Sequence, residues 1–155
     1  MEFRIEKCGA IDLARLGRNI GTGVVIRIDG RIDAGGGDNR LLARPNDAAG
    51  RYRGFASMSG DAATSEWEQT GLYLGRNGWG LDAHFSISLI LSLLPDRKRT
   101  AFAISTFAHA DERVLGYQSH GFWADTSTPI NFIGFWTVGP GRAVLEARVD
   151  IPENP

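Results

Sequence analysis

Apolar and polar residues alternate along most of this chain, and the period is two. Val24, Ile26, Ile28 and Ile32 alternate with Arg27, Asp29, Arg31 and Asp33. That places apolar side chains on one face of a strand and charges on the other. Gly30 falls on the apolar face, where it predicts a bulge or a close contact. The clearest strand runs over residues 83–94: Phe85, Ile87, Leu89, Leu91 and Leu93 share one face. Ser86, Ser88 and Ser92 share the other with Ile90 and Leu94. A helix would scatter those serines around its axis.

Further strands are expected over residues 41–44, 52–58, 65–74, 100–107, 113–118, 130–138 and 143–151. Residues 33–39 and 75–80 read as glycine-rich connections. In Gly139-Pro140-Gly141-Arg142, proline then glycine suits the central pair of a type II turn, with positive φ at Gly141. One helical candidate remains, residues 10–18, where Ile11, Leu13, Ala14 and Leu16 make a short amphipathic turn. The count is roughly nine or ten strands punctuated by turn signals, the pattern of an all-β antiparallel β-sandwich or barrel. At most one short helix is expected, near the N-terminus.

Composition narrows the function. The chain has 155 residues, the size of one domain, with 43% hydrophobic residues and 20 glycines. Its 17 basic and 18 acidic residues leave a formal charge of -1, with no long run of one sign. A nucleic-acid partner is therefore not expected. Asp96-Arg97-Lys98-Arg99 reads as a solvated turn. Cys8 is the single cysteine, so no intrachain disulfide and no cysteine-rich zinc site can form. This fits a reducing cytoplasm. The first seven residues alternate in charge and lack the apolar core of a secretory leader. No apolar stretch is long enough for a membrane-spanning helix.

Catalytic patterns are sparse. His84, His109 and His120 are widely spaced and lack the His-x-x-x-His or His-x-His separation of a metal site. No Gly-x-Ser-x-Gly elbow or phosphate-binding glycine loop occurs. Glu66 and Glu68 would share a strand face about 7 Å apart. That geometry would serve acid–base chemistry on a polysaccharide only inside a cleft. Asp29, Asp33, Asp38 and Asp47 flank glycine-rich loops, but their spacing matches no calcium loop. A protein without an enzymatic activity, a cofactor or a metal is expected.

Aromatic residues are the remaining candidates. Trp79 sits in a glycine-flanked loop, and Tyr52 and Tyr117 near strand ends. Exposed rings there would stack on a sugar or anchor a protein partner. Trp67, Phe122, Trp123, Phe135 and Trp136 read as core or sheet-packing residues.

The C-terminal third has a further pattern. Gly121-Phe122-Trp123-Ala124-Asp125-Thr126-Ser127-Thr128-Pro129-Ile130-Asn131-Phe132-Ile133 is followed by a strand, the turn at 139–142 and a final strand. Upstream, Leu41-Leu42-Ala43-Arg44-Pro45-Asn46-Asp47 precedes Tyr52. Together, over about residues 24–151, they resemble small jelly-roll virion structural proteins of tailed bacteriophages. The final strand departs from the Leu-Tyr-Gly-Ile ending often found there, having Leu145-Glu146-Ala147-Arg148-Val149-Asp150-Ile151 instead.

The resemblance implies a jelly-roll-like single domain over residues 1–155, with residues 1–20 as a possible partner-contacting arm. It implies a structural protein of the phage particle, assembled in the host cytoplasm and resident in the virion. A capsid decoration or cement protein is expected, since no fibre stalk is seen. The partners would be other copies of itself, as a homotrimer, and capsid or tail proteins. The alternative is a tail-associated carbohydrate- or receptor-binding module that takes a surface glycan through Trp79.

Overall fold

The alternating sequence folds as a β-sandwich. A computed structural model describes the backbone of residues 2–5 and 64–67, and residues 10–13, 22–59 and 70–150 with their side chains. Twelve strands occur among the described residues, in chain order. They are β1 (Glu2–Ile5), β2 (Ala10–Asp12), β3 (Gly23–Asp33), β4 (Arg40–Pro45), β5 (Tyr52–Ser59) and β6 (Thr64–Trp67), followed by β7 (Leu72–Arg76), β8 (Ala83–Ser92), β9 (Arg99–His109), β10 (Val114–Trp123), β11 (Phe132–Val138) and β12 (Arg142–Asp150). No α-helix occurs among the described residues.

The strands form an eight-stranded sheet, β1-β12-β3-β8-β9-β10-β5-β6, and a four-stranded sheet, β2-β11-β4-β7. The antiparallel pairs β1/β12, β2/β11, β3/β8 and β4/β7 are nested, and successive pairs alternate between the sheets. That winding is a jelly roll. The β9–β10 and β5–β6 hairpins widen the larger sheet beyond β8.

Side-chain alternation packs the core. Val24, Ile26, Ile28 and Ile32 of β3, and Phe85, Ile87, Leu89 and Leu91 of β8, are buried. They join Leu41, Leu42, Ile133 and Phe135 of the smaller sheet in one apolar cluster. β7 is buried along Leu72, Tyr73 and Leu74, because it crosses over β9, β10 and β5. Tyr73 and Phe107 each meet the Tyr117 ring edge-on, at 5.7 and 5.8 Å. A Cβ at Gly30 would run into the Val144 carbonyl and the Phe85 ring, so the close contact expected there is present.

Four local expectations change. Residues 10–12 form strand β2 against β11, not the start of a helix; residues 14–18 of that candidate lie outside the described residues. Both β1 and β2 pair within the chain's own sheets, which counts against an N-terminal arm reserved for a partner. Residues 65–74 split into β6 and β7, which belong to different sheets. In the 139–142 turn the positive φ falls on Gly139, at 133°, and not on Gly141. A side chain at Gly139 would strike the Asn39 amide.

That amide closes one end of the sandwich. Asn39 is fully buried, and its Nδ2 donates to the Ala34 and Gly37 carbonyls at 2.9 and 2.8 Å. Its Oδ1 accepts from the Gly141 N–H at 2.6 Å. Asn77, also buried, accepts from the Asn39 N–H at 2.6 Å and donates to the Leu81 carbonyl at 2.8 Å. Three loops are thereby tied by two amides whose polar groups are met. At the opposite end Arg99 is buried, not solvated as its basic neighbours implied. Its guanidinium donates to the backbone carbonyls of Leu94, Arg97 and Thr128.

Candidate functional site: the outer face of the large sheet

Period two also sets the opposite face. The outward residues of β3, β8, β9, β10 and β5 stand in cross-strand rows. One row is Val25, Ile90, Phe102, His120 and Phe55, joined by direct register pairs. Ile90 is 49% exposed and Phe55 43%. The His120 ring lies 4.8 Å from Phe102 and 5.4 Å from Phe55, so three rings run side by side across three strands.

The next row toward the β8–β9 turn holds Thr100 and Phe122, and Lys98 Nζ sits 4.8 Å over the Phe122 ring. Together with Leu94 and Arg53, these rows line an open groove of about 940 Å³. Ile104, exposed by 48%, extends the apolar surface past the groove, while Val114, exposed by 49%, stands at the far end of the same face in the row of Ala108 and His84. Among the described residues, four of the five exposed large hydrophobic side chains therefore lie on this face. The fifth is Trp136.

The other end of the same face is polar. Asp29, Arg31, His84, Ser86, Thr106 and Glu146 surround a second hollow of about 520 Å³. The Ser86 hydroxyl donates to Asp29, and Arg31 lies 3.8 Å from Asp33. The face is thus divided along its strands into an apolar half and a half with mixed donors and acceptors.

The aromatic candidates fall elsewhere. Tyr52 and Tyr117 are buried, with 3% and 2% of their surface exposed, and present no ring to a partner. Burial pushes the Tyr52 phenol well above its ordinary pKa, with Arg44 opposing and Asp47 adding to the shift. Trp79 is half-buried: His109 meets it edge-on at 4.8 Å and the Arg113 guanidinium lies 4.1 Å over its ring. Both neighbours occupy the stacking surface that a sugar would use.

Trp123 and Phe135 are in the core as expected, and Phe122 is half-buried on the outer face. Trp136 is 40% exposed, against the expectation of packing, with Arg44 4.9 Å over the ring and Asp47 accepting its Nε1–H at 3.0 Å.

Ionisable groups are dispersed. His84 and His120 point outward and His109 inward, each on a different strand. Asp38 accepts from the Gly80 N–H, so the four loop aspartates have separate partners. Glu66 lies in β6 but its side chain, like Trp67 and all of Glu68, lies outside the described residues. Among the described residues no group of three or more His, Cys, Asp or Glu is placed to hold a metal ion. Asp125 caps the loop after β10. The Thr128 N–H, then the Ser127 N–H and both hydroxyls, lower its pKa to about 2 against partial desolvation.

The apolar row was missed from sequence because Ile90 read only as a member of the serine-bearing face of its strand and Phe122 as core or sheet packing. The signal was present: on β9, Phe102 and Ile104 are out of phase with Ala103, Ser105 and Phe107.

No family model matches the chain, and no curated protein matches it in sequence. Among solved structures, the fluorescent protein cmFP512 from Cerianthus membranaceus is 7% identical, with a TM-score of 0.26 over 67% of this chain and 63% of that one. The photosensitizer KillerRed is 13% identical, with a TM-score of 0.23 over 81% of this chain and 57% of that one. The chain thus spans less than two thirds of the length of either.

Proposed function

We propose that this protein is a non-enzymatic structural protein of a tailed phage particle, a capsid decoration protein whose contact surface is the outer face of its large sheet. The row Val25–Ile90–Phe102–His120–Phe55, apolar apart from His120 and with Ile90 and Phe55 exposed, carries this reading. Contiguous apolar surface of this kind marks protein contact sites, because leaving it in water forfeits the stabilisation that burial supplies. The jelly-roll winding and the turn pattern of residues 24–151 supply the setting, through the resemblance to phage virion proteins. Repetition by particle symmetry would multiply modest contacts into stable attachment.

The test is co-assembly with particles lacking this protein. Wild-type protein is expected to sediment with undecorated shells, and Phe102→Ser to remain in the supernatant. Absence of the wild type from both shells and tails would overturn the reading.

A glycan- or receptor-binding role is the second reading, favoured by the polar hollow around Asp29, Arg31 and His84. Its mixed donors and acceptors match the hydroxyl pairs of a sugar. A glycan array should then give hits that Arg31→Ala abolishes and Trp79→Ala leaves unchanged. An array without hits removes this reading.

A further inference from the structure

We propose that the apolar half of the outer face is a two-fold interface between copies of this chain, with the dyad lying along the Ile90–Phe102–His120 row. This rests on reading that face as a protein-contact surface: the apolar row meets a second copy, the pair meets the shell through the surface left open, and Phe102→Ser lowers shell binding by breaking the pair. It replaces the trimer expected from the family resemblance with a two-fold pair.

A second copy fits for three reasons. First, a two-fold contact needs a surface that complements itself. With the dyad on that row, each apolar residue of the row faces its own counterpart. Ile104, one step further along β9, is then carried over Thr100 and Phe122 of the partner copy, which line the groove. The exposed side chain just outside the groove becomes the group that enters it, twice over.

Second, the charges do not collide. Arg53 stands in the Phe122 row, and the dyad carries it over the row of Ser57 and Gln118. Arg27, in the Ile104 row, is carried over Gly23, and the charged half of the face, with Asp29, Arg31 and Glu146, lies on the far side of that row. Asp150 continues the dyad row on β12, paired with Arg27 and Arg148, and sets the limit of the overlap at β3.

Third, the area suffices. β3, β8, β9, β10 and β5, spaced by about 4.8 Å and overlapped over about seven residues each, give roughly 550 Å² per copy. Over the two copies that clears the ~1,000 Å² of a specific contact and suits a modest, reversible pair. A small ligand in the groove would leave Ile104 and Val114 exposed, and a second copy covers at least the first.

The arrangement leaves both polar hollows on the outside of the pair, open to the particle or to a ligand.

The test uses the purified chain alone. Sedimentation equilibrium should give twice the monomer mass at micromolar concentration. Ile104→Arg should weaken association at least about tenfold without changing the far-ultraviolet circular dichroism. In a Cys8→Ser background, Ile90→Cys should form a disulfide-linked dimer on oxidation, while Val114→Cys, at the polar end, should not.

A monomer at all concentrations overturns the proposal, as does crosslinking at Val114→Cys and not at Ile90→Cys. A monomer whose groove takes a fatty acid or an aromatic dye assigns the groove to a small ligand and also overturns it. Particle binding is measured separately. A monomer that binds shells sinks the two-fold pair alone, and a dimer that ignores shells sinks the particle role alone.

Discussion

Strand β9 carries apolar side chains on both of its faces, and the two sets do different work. Phe107 points inward and is fully buried between Phe85 and Tyr117. Phe102 and Ile104 point outward onto a face that is half apolar. The inner set explains why the chain folds; the outer set is the surface assigned above to contact between molecules. Apolar residues out of phase with the core on several neighbouring strands are therefore a sign of association, and not of folding.

The comparison can be broken first at Phe107. Phe107→Ala should destabilise by about 3–5 kcal/mol, since it removes buried transfer energy and leaves a cavity. Chemical denaturation measures this. A loss under about 1 kcal/mol would mean that the inner face is not the core.

Next is the amide pair that closes the loop end. Asn39→Ala leaves the Gly141 N–H without its acceptor and takes a donor from the Ala34 and Gly37 carbonyls, which should cost about 1–3 kcal/mol. Association should be unchanged, so the same denaturation series run with sedimentation separates folding from contact.

Trp136 sharpens the comparison from the other sheet. It is exposed, but Arg44 and Asp47 already cover its ring and Nε1–H. Trp136→Ala should cost no more than about 1 kcal/mol and leave the solution mass unaltered. A change in mass would move the interface to the small sheet.

The smallest effect concerns pH. The folded pKa of Asp125 lies near 2, below its ordinary 3.8. Its contribution is therefore present above about pH 4 and is lost as the pH falls through 2. Asp125→Asn should flatten the acid limb of a stability-versus-pH curve by slightly lowering the melting temperature above about pH 4, with little change near pH 2. An identical acid limb in both proteins would contradict the capping role.

Much of the fold was legible because period two is a local property. β3, β8 and β12 followed directly from alternation over residues 24–32, 85–93 and 145–149. What alternation does not encode is which strands pair. Residues 65–74 read as one strand because their composition is continuous, yet Trp67 and Leu72 belong to different sheets. The helical candidate rested on Ile11, Leu13, Ala14 and Leu16 together, yet Ile11 and Leu13 alone stand two residues apart, the strand spacing, and both are buried where β2 meets β11.

The contact face was hidden for a related reason. Phe135 and Trp136 are neighbours in sequence and so must point to opposite faces, but both read as packing. Tyr52 and Tyr117 were singled out for being near strand ends, when their phase places them inward with Ala56 and Leu115. A row such as Ile90–Phe102–His120–Phe55 exists only once register is known. Its members lie far apart in the chain, and no single strand announces it.

The most direct measurement is a matched pair of substitutions on β9, Phe102→Ser outside and Phe107→Ser inside, each followed by thermal melting at sub-micromolar protein and by solution mass at higher concentration. A large drop in melting temperature is expected for Phe107→Ser alone, and a halved mass with near-native melting for Phe102→Ser. Equal destabilisation by both, with no change in mass for Phe102→Ser, would mean that the chain covers its own outer row and would contradict the assignment of that face to contact between molecules.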